Sequence, residues 1–184
     1  KNAIAMRSQL LGAHLNDINN FLVITGDPIP SMVRQSVKAV FNFDSVGLMN
    51  IIKDMNESQF ENSPIVYGGA INQSRRNLDV EISRVRKQID DGATFFLTQP
   101  VFDDKGIARL RKIKQETGAR ILCGIMPFVS LKNAMFMKNE MTGIEVSDEI
   151  IARYKECVTK EDGESVGVEI AKEVIEKTSD FVNG

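Results

Sequence analysis

Tryptophan is absent from the 184 residues, cysteine occurs twice and histidine once. Each shortage closes off a class of chemistry. Cys123 and Cys157 fall in segments that read as a strand and a helix end, and neither has a metal-type neighbour. His14 cannot complete a zinc site with two thiols at such spacing, and no CxxC pair, His-rich tract or HExxH helix occurs. Metal chemistry is therefore not expected, and so few thiols fit a reducing compartment, the cytoplasm. No apolar run approaches the ~18 residues of a membrane span. The opening KNAIAMRSQLLGAHL is too polar and interrupted for a signal peptide. Charge of one sign is also lacking: 23 basic and 25 acidic residues are dispersed to a net charge of -2, which argues against a nucleic-acid footprint or a membrane-surface patch. Small molecules or proteins are the expected partners.

What the chain has is alternation. With 42% apolar content it can bury one real core, and a single domain over 1–184 is expected. Apolar runs at 20–28 (NFLVITGDP), 63–71 (SPIVYGGAI), 93–102 (ATFFLTQPVF) and 119–128 (ARILCGIMPF) read as four parallel strands covered on both faces. Helical periods lie around and between them. Leu78, Ile82, Val85 and Ile89 share one face, as do Ile107, Leu110 and Ile113, with Asp103 or Asp104 as N-cap and Gly118 as stop. Helices are also expected over 3–15, through Gly47 to Ile52, over LKNAMFMKNEM, from Ser147, and from near Thr159 with Val166, Ile170 and Val174 inward.

Strand, loop and helix in repetition mean right-handed crossovers and a parallel sheet. A doubly wound nucleotide binder would show GxGxxG after its first strand, and none occurs. The strand ends carry polar or special groups instead: Thr25 and Asp27, Gly68 and Gly69, Thr98 and Gln99, Met126 and Pro127. A (β/α)8 barrel mounts its chemistry at that C-terminal face, so the barrel is favoured. Eight units need about 250 residues, so the α/β chain reads as a partial TIM barrel of about four strands, truncated at both ends. The closing DFVNG reads as the approach to a further strand.

LLGAHLNDINNFLVITGDP, FDSVGLMNIIKDM, the GGA at 68–70, DDGATFFLTQPVFD and GIMPFVSLKNAMFM, in this order, resemble the methylenetetrahydrofolate reductase family. The GGA and TQPVFD wording is most similar to the reductase half of bacterial bifunctional proteins that also carry a homocysteine S-methyltransferase. The resemblance implies the C-terminal part of a barrel that holds FAD. It implies reduction of 5,10-methylenetetrahydrofolate to 5-methyltetrahydrofolate with NADH or NADPH, a step of one-carbon metabolism.

It also assigns roles. By chemistry alone Asp27 is a turn aspartate before proline; the family's aspartate lies near the flavin pyrimidine edge, where a fixed carboxylate favours the iminium cation through which the folate is reduced, a catalytic role. Gly26 lets the backbone approach the cofactor, and Thr25 stands where many relatives carry an arginine. Asp44 and Ser45, Gly68 and Asn72, and Glu81, Arg84, Lys87 and Gln88 align with FAD contacts, although Arg84 and Lys87 equally fit a solvated helix face. Gln99 aligns with the glutamine that binds the pterin, its donor and acceptor suiting a mixed ring edge. Asn133 matches a substrate amide position. Met137 stands where relatives place a stacking phenylalanine, and equally fits a core. Ala93 is a packing position whose size affects flavin retention. His14 reads as a helix residue, not a base.

The family's catalytic glutamate belongs to a first strand expected upstream of Lys1, so these residues alone are expected to bind FAD weakly and not to turn over. An open half barrel exposes strand edges, and pairing of those edges would make a homo-oligomer. Two other classes compete: a non-catalytic interaction module, and an aldolase-type barrel. The aldolase needs a Schiff-base lysine at a strand end, and no proposed strand ends in lysine.

Overall fold

A computed structural model describes residues 2–26, 42–141 and 143–184. In chain order the elements are α1 (Ala3–His14), β1 (Asn20–Leu22), α2 (Ser45–Asn56), β2 (Val66–Ile71), α3 (Leu78–Asp90), β3 (Phe95–Pro100), α4 (Asp104–Thr117), β4 (Ile121–Gly124), α5 (Leu131–Glu140), α6 (Asp148–Arg153) and α7 (Lys160–Thr178). The strands are parallel and take sequence order in the sheet, β1-β2-β3-β4, with helices flanking them. This is an α/β fold of the partial-barrel kind.

Local chemistry sets the helix ends. The Asp103 carboxylate accepts from the Gly106 N–H at 2.8 Å, and Gly118 closes α4 at φ 67, a left-handed turn that glycine adopts without strain. Thr159 and Asp162 form a capping box at the start of α7, the hydroxyl accepting from the Asp162 N–H at 3.1 Å and the carboxylate from the Thr159 N–H at 2.8 Å.

The strands are shorter than the apolar runs that announce them. In β1 the ladder ends at Leu22, although the Val23 N–H still reaches the Gly68 carbonyl at 2.8 Å. β3 stops at Pro100, which has no N–H to offer, and β4 stops at Gly124, short of Pro127. Of the remaining apolar residues, Ile24 is exposed and the buried Val101 still donates its N–H to the Gly124 carbonyl at 3.0 Å, whereas Phe102 and Phe128 are buried outside the ladder. Burial, not pairing, explains their hydrophobicity.

Two compact units are distinguished: Lys1–Ala70 with Arg86–Thr94, and Ile71–Val85 with Phe95–Gly184. In the first, β1 pairs with β2, Asn20 opposite Val66 and Leu22 opposite Gly68. α2 buries Val46, Met49, Ile52 and Met55. His14, at the end of α1, stacks on Phe60 with ring centroids 4.2 Å apart, and its Nε2 lies 2.8 Å from the Ser63 carbonyl.

In the second unit β3 pairs with β4, and a core of Phe102, Phe128, Ala134, Val146, Ile150, Ile151, Tyr154 and Ile170 collects residues of α5, α6 and α7. Phe102 stacks on Phe128 at 4.5 Å between centroids, and the Tyr154 hydroxyl donates to the Phe128 carbonyl at 3.2 Å. The final segment runs along β4: the Asn183 N–H donates to the Ile121 carbonyl at 2.7 Å, and the Cys123 N–H to the Gly184 carbonyl at 2.6 Å. Among the described residues no helix is long and apolar enough to cross a membrane.

Candidate functional site

In the first unit a chain of hydrogen bonds runs through the predicted cofactor residues. Thr25 and Gly26 are exposed beyond β1, and the Thr25 hydroxyl accepts from the Ser45 N–H at 3.1 Å. Ser45 is buried at the first position of α2, and its own hydroxyl accepts from Gln88 Nε2 at 3.0 Å. The Gln88 carbonyl accepts from the Ala93 N–H at 2.9 Å. Ala93, the packing position, is thus linked through Gln88 and Ser45 to Thr25. Asp44 caps α2, its carboxylate accepting from the Gly47 N–H at 2.8 Å. Gly68 is buried in β2, and Lys87 is exposed on α3. Asp27 lies outside the described residues.

In the second unit Glu81 is the centre of a cluster. It is fully buried on α3 and receives the Asn72 N–H at 2.8 Å, Arg84 Nε at 3.1 Å and Arg75 Nη1 at 3.2 Å. Arg84 also donates through its terminal nitrogen to the second carboxylate oxygen. Burial alone would push the Glu81 carboxyl up, but the Arg84 guanidinium, the Asn72 amide and Arg75 together hold it below its ordinary value. The Asn72 side chain accepts from the Ser74 N–H at 3.0 Å, closing a turn.

Gln99 sits at the end of β3, where the register breaks. Leu97 is opposite Leu122 and Pro100 is opposite Gly124, so three steps on β3 match two on β4: a β-bulge at Thr98 and Gln99. Bulges recur at barrel rims because the extra residue re-aims a side chain. Gly124 allows the close approach, since a Cβ there would stand 2.9 Å from the Thr98 carbonyl oxygen. The Gln99 side chain is half-buried, and among the described residues its amide has no hydrogen-bond partner. An amide in that state at a strand end is a ready contact for a ligand.

Asn133 lies in the first turn of α5, where its N–H donates to the Ser130 hydroxyl at 3.2 Å and its Oδ1 faces the Val129 N–H at 3.4 Å. Met137, one turn on, packs against the core cluster. Burial pushes the Cys123 thiol up and keeps it neutral.

Three contributors were not anticipated from sequence: Gln73, Arg75 and Tyr67. Gln73 is buried at 1% exposure and donates to the carbonyls of Gln99 at 3.0 Å and Pro100 at 3.1 Å. Tyr67 donates to the Asp91 carbonyl at 2.5 Å, two residues before Ala93 in sequence. A signal for the Glu81 cluster did exist. Glu81 and Gln88 fall on the same helical stripe as Leu78, Ile82, Val85 and Ile89, and polar residues inside an apolar stripe must find internal partners.

Comparison with known proteins adds the family. The sequence profile of the family described as methylenetetrahydrofolate reductase matches residues 1–182. The comparison with curated proteins returned no match. Among solved structures, an uncharacterized protein from Clostridium thermocellum that binds two copies of 5-methyl-5,6,7,8-tetrahydrofolic acid is similar at TM-score 0.52 and 18% identity, covering 88% of this chain and 62% of that one. That likeness shows a shared fold, and this chain spans under two thirds of the Clostridium protein's length. A candidate lyase/mutase from Burkholderia cenocepacia J2315 is more distant, with TM-score 0.38, 16% identity and coverage of 77% and 59%. With the profile matched over nearly every residue, the chain belongs to the methylenetetrahydrofolate reductase family.

Proposed function

We propose that the protein bearing this chain reduces 5,10-methylenetetrahydrofolate to 5-methyltetrahydrofolate in the cytoplasm, with FAD as bound cofactor and NAD(P)H as electron donor. We further propose that it works as a homo-oligomer joined to a homocysteine S-methyltransferase. Family membership supports the reductase reading. The Clostridium neighbour binds the methylated folate that this reaction would form.

The Gln99 amide at the bulged end of β3, unpartnered among the described residues, carries the proposal. It offers one donor and one acceptor from a single side chain, which matches the mixed edge of a pterin. Asn133 and Met137, one turn apart on α5, would bound the same substrate. The donor set fits a folate through Gln99 and a flavin dinucleotide in part. Thr25, Gly26 and Lys87 are open to a cofactor, whereas Ser45, Gln88 and Glu81 bond within the protein and would support its neighbours. FAD, when bound, supplies hydride transfer. Asp27, next after Gly26, would contribute a fixed negative charge that stabilises a cationic folate.

Equilibrium dialysis of the purified protein against 5-methyltetrahydrofolate, together with visible spectra after mixing with FAD, tests this. Saturable folate binding is expected, weakened about tenfold, or ~1.4 kcal/mol, in Gln99→Ala. A protein with no saturable folate binding, or one indifferent to Gln99→Ala, would sink the reading.

A further inference from the structure

We propose that Gln73, together with the Thr98 hydroxyl, is a positioning residue for folate: the two side chains clamp the β3 bulge and thereby aim the Gln99 amide. The inference rests on the folate role proposed for Gln99 and adds a residue that neither sequence pattern nor resemblance assigns.

A bulge takes carbonyls out of the ladder and leaves them to be satisfied otherwise. Here one side chain does most of it. Gln73 Nε2 donates both of its hydrogens, to the Gln99 carbonyl at 3.0 Å and the Pro100 carbonyl at 3.1 Å. The Thr98 hydroxyl accepts from the Gly124 N–H at 2.8 Å and donates to the same Gln99 carbonyl at 2.7 Å, so it ties β4 to the bulge as well. Gln73 is held in its turn, because Arg109 on α4 donates through Nε to the Gln73 carbonyl and through a terminal nitrogen to the Arg75 carbonyl. The Gln99 backbone is thus fixed from the β2–α3 loop, from its own strand and from β4, while its side-chain amide has no partner among the described residues.

The identity of the residue points the same way. Gln73 is 1% exposed, yet its Oε1 is buried without a partner among the described residues. The penalty of that orphan oxygen offsets much of what the two donated bonds contribute, so a glutamine here adds little net stability. What it does add is position. A methionine would fill the same volume without an orphan acceptor, but it could not hold two carbonyls together. Misplacement of a substrate-binding group by about 1 Å is enough to weaken its action strongly.

The test compares wild type, Gln73→Met, Thr98→Val, Gln99→Ala and the double variant Gln73→Met/Gln99→Ala in the purified protein. The readouts are the Kd for 5-methyltetrahydrofolate by equilibrium dialysis, thermal unfolding, and hydrogen exchange at the amides of 98–101. Gln73→Met should weaken folate binding about tenfold with little change in unfolding midpoint, and should speed exchange across the bulge. The double variant should bind no worse than Gln99→Ala by more than about twofold, because both changes disable one contact. Should Gln73→Met fail to fold, Thr98→Val loosens the same clamp and should give the same pattern. Unchanged affinity in Gln73→Met or Thr98→Val, or losses that multiply in the double variant, overturns the clamp while leaving Gln99 in place. Indifference of folate binding to Gln99→Ala overturns both the clamp and the folate reading beneath it.

Discussion

Gln88 donates from Nε2 to the Ser45 hydroxyl at 3.0 Å, with both residues buried, and this joins the end of α3 to the start of α2. Both residues stand at positions where the family resemblance suggests contact with a cofactor, yet each bonds to the other. Ser45→Ala should therefore act through the scaffold, at a cost of about 1–2 kcal/mol for the group left without its partner. With no tryptophan in the chain, helical circular dichroism in a urea titration is the measurement. Gln88→Leu combined with Ser45→Ala should cost less than the two single changes added together, because the bond can be lost only once.

Glu81 predicts an acid response. Burial pushes its carboxyl up, but Arg84, the Asn72 amide and Arg75 outweigh that and hold it below the ordinary value of 4.5. A depressed carboxyl contributes stability that is complete above the unfolded pKa and is lost as pH falls from about 4.5 toward the folded one. Glu81→Gln should lower stability at neutral pH by about 1–3 kcal/mol, less than for a wholly buried pair because the guanidiniums of Arg84 and Arg75 still reach water. Below pH 4.5 the variant's unfolding midpoint should decline less steeply than that of the wild type. Parallel curves would rule this cluster out as a source of acid sensitivity.

The sequence announced the fold more readily than it announced the site, for a physical reason. Strand and helix order follow from periodicity and caps, which are local: the Asp103 cap, the Gly118 stop and the buried Ile107, Leu110 and Ile113 all stand as their spacing indicates. Strand lengths did not follow, because burial makes Phe102 and Phe128 apolar without placing them in a ladder. Gln73 gives no sequence signal, since its partners Gln99 and Pro100 lie far along the chain at a bulge that no local pattern encodes. Glu81 was legible as buried from its place on the apolar stripe of α3, but its partners Asn72 and Arg75 were not, because they come from the loop before α3.

Two glycines predict opposite signs for one substitution. Gly167 on α7 is buried against the turn after β4, and a Cβ there would lie 2.0 Å from the Phe128 carbonyl oxygen, a backbone atom that cannot swing away. The helix-propensity gain of about 1 kcal/mol in Gly167→Ala is outweighed by overpacking of about 1–3 kcal/mol or more, so this variant should unfold at lower urea. Gly12 on α1 has nothing within 4 Å of its virtual Cβ. Gly12→Ala should raise stability by up to about 1 kcal/mol. The same sign for both would show that the α7 contact yields.

Tyr67 and Gly92 make the sharpest pair. Gly92 has φ 96, in the left-handed region, and a Cβ on it would stand 2.3 Å from the Tyr67 hydroxyl oxygen, which donates to the Asp91 carbonyl at 2.5 Å. Burial, with Asp91 and Glu57 adding to it, pushes the Tyr67 hydroxyl up to about 12. A raised tyrosine contributes stability that is complete below the ordinary 10 and lost as pH climbs toward 12, so tyrosinate absorbance should lag there until the protein unfolds. Gly92→Ala combines left-handed strain of about 1–2 kcal/mol with the steric clash, and should destabilise by about 3 kcal/mol in all. Tyr67→Phe should cost about 1 kcal/mol for the lost bond. In the double variant the hydroxyl is gone and the nearest ring carbon is 3.2 Å away. Tyr67→Phe should then partly rescue Gly92→Ala, a reversal of sign that urea unfolding of the four proteins would display. If Gly92→Ala is no more stable with phenylalanine beside it, its defect is backbone strain and the hydroxyl contact is not what requires glycine at this position.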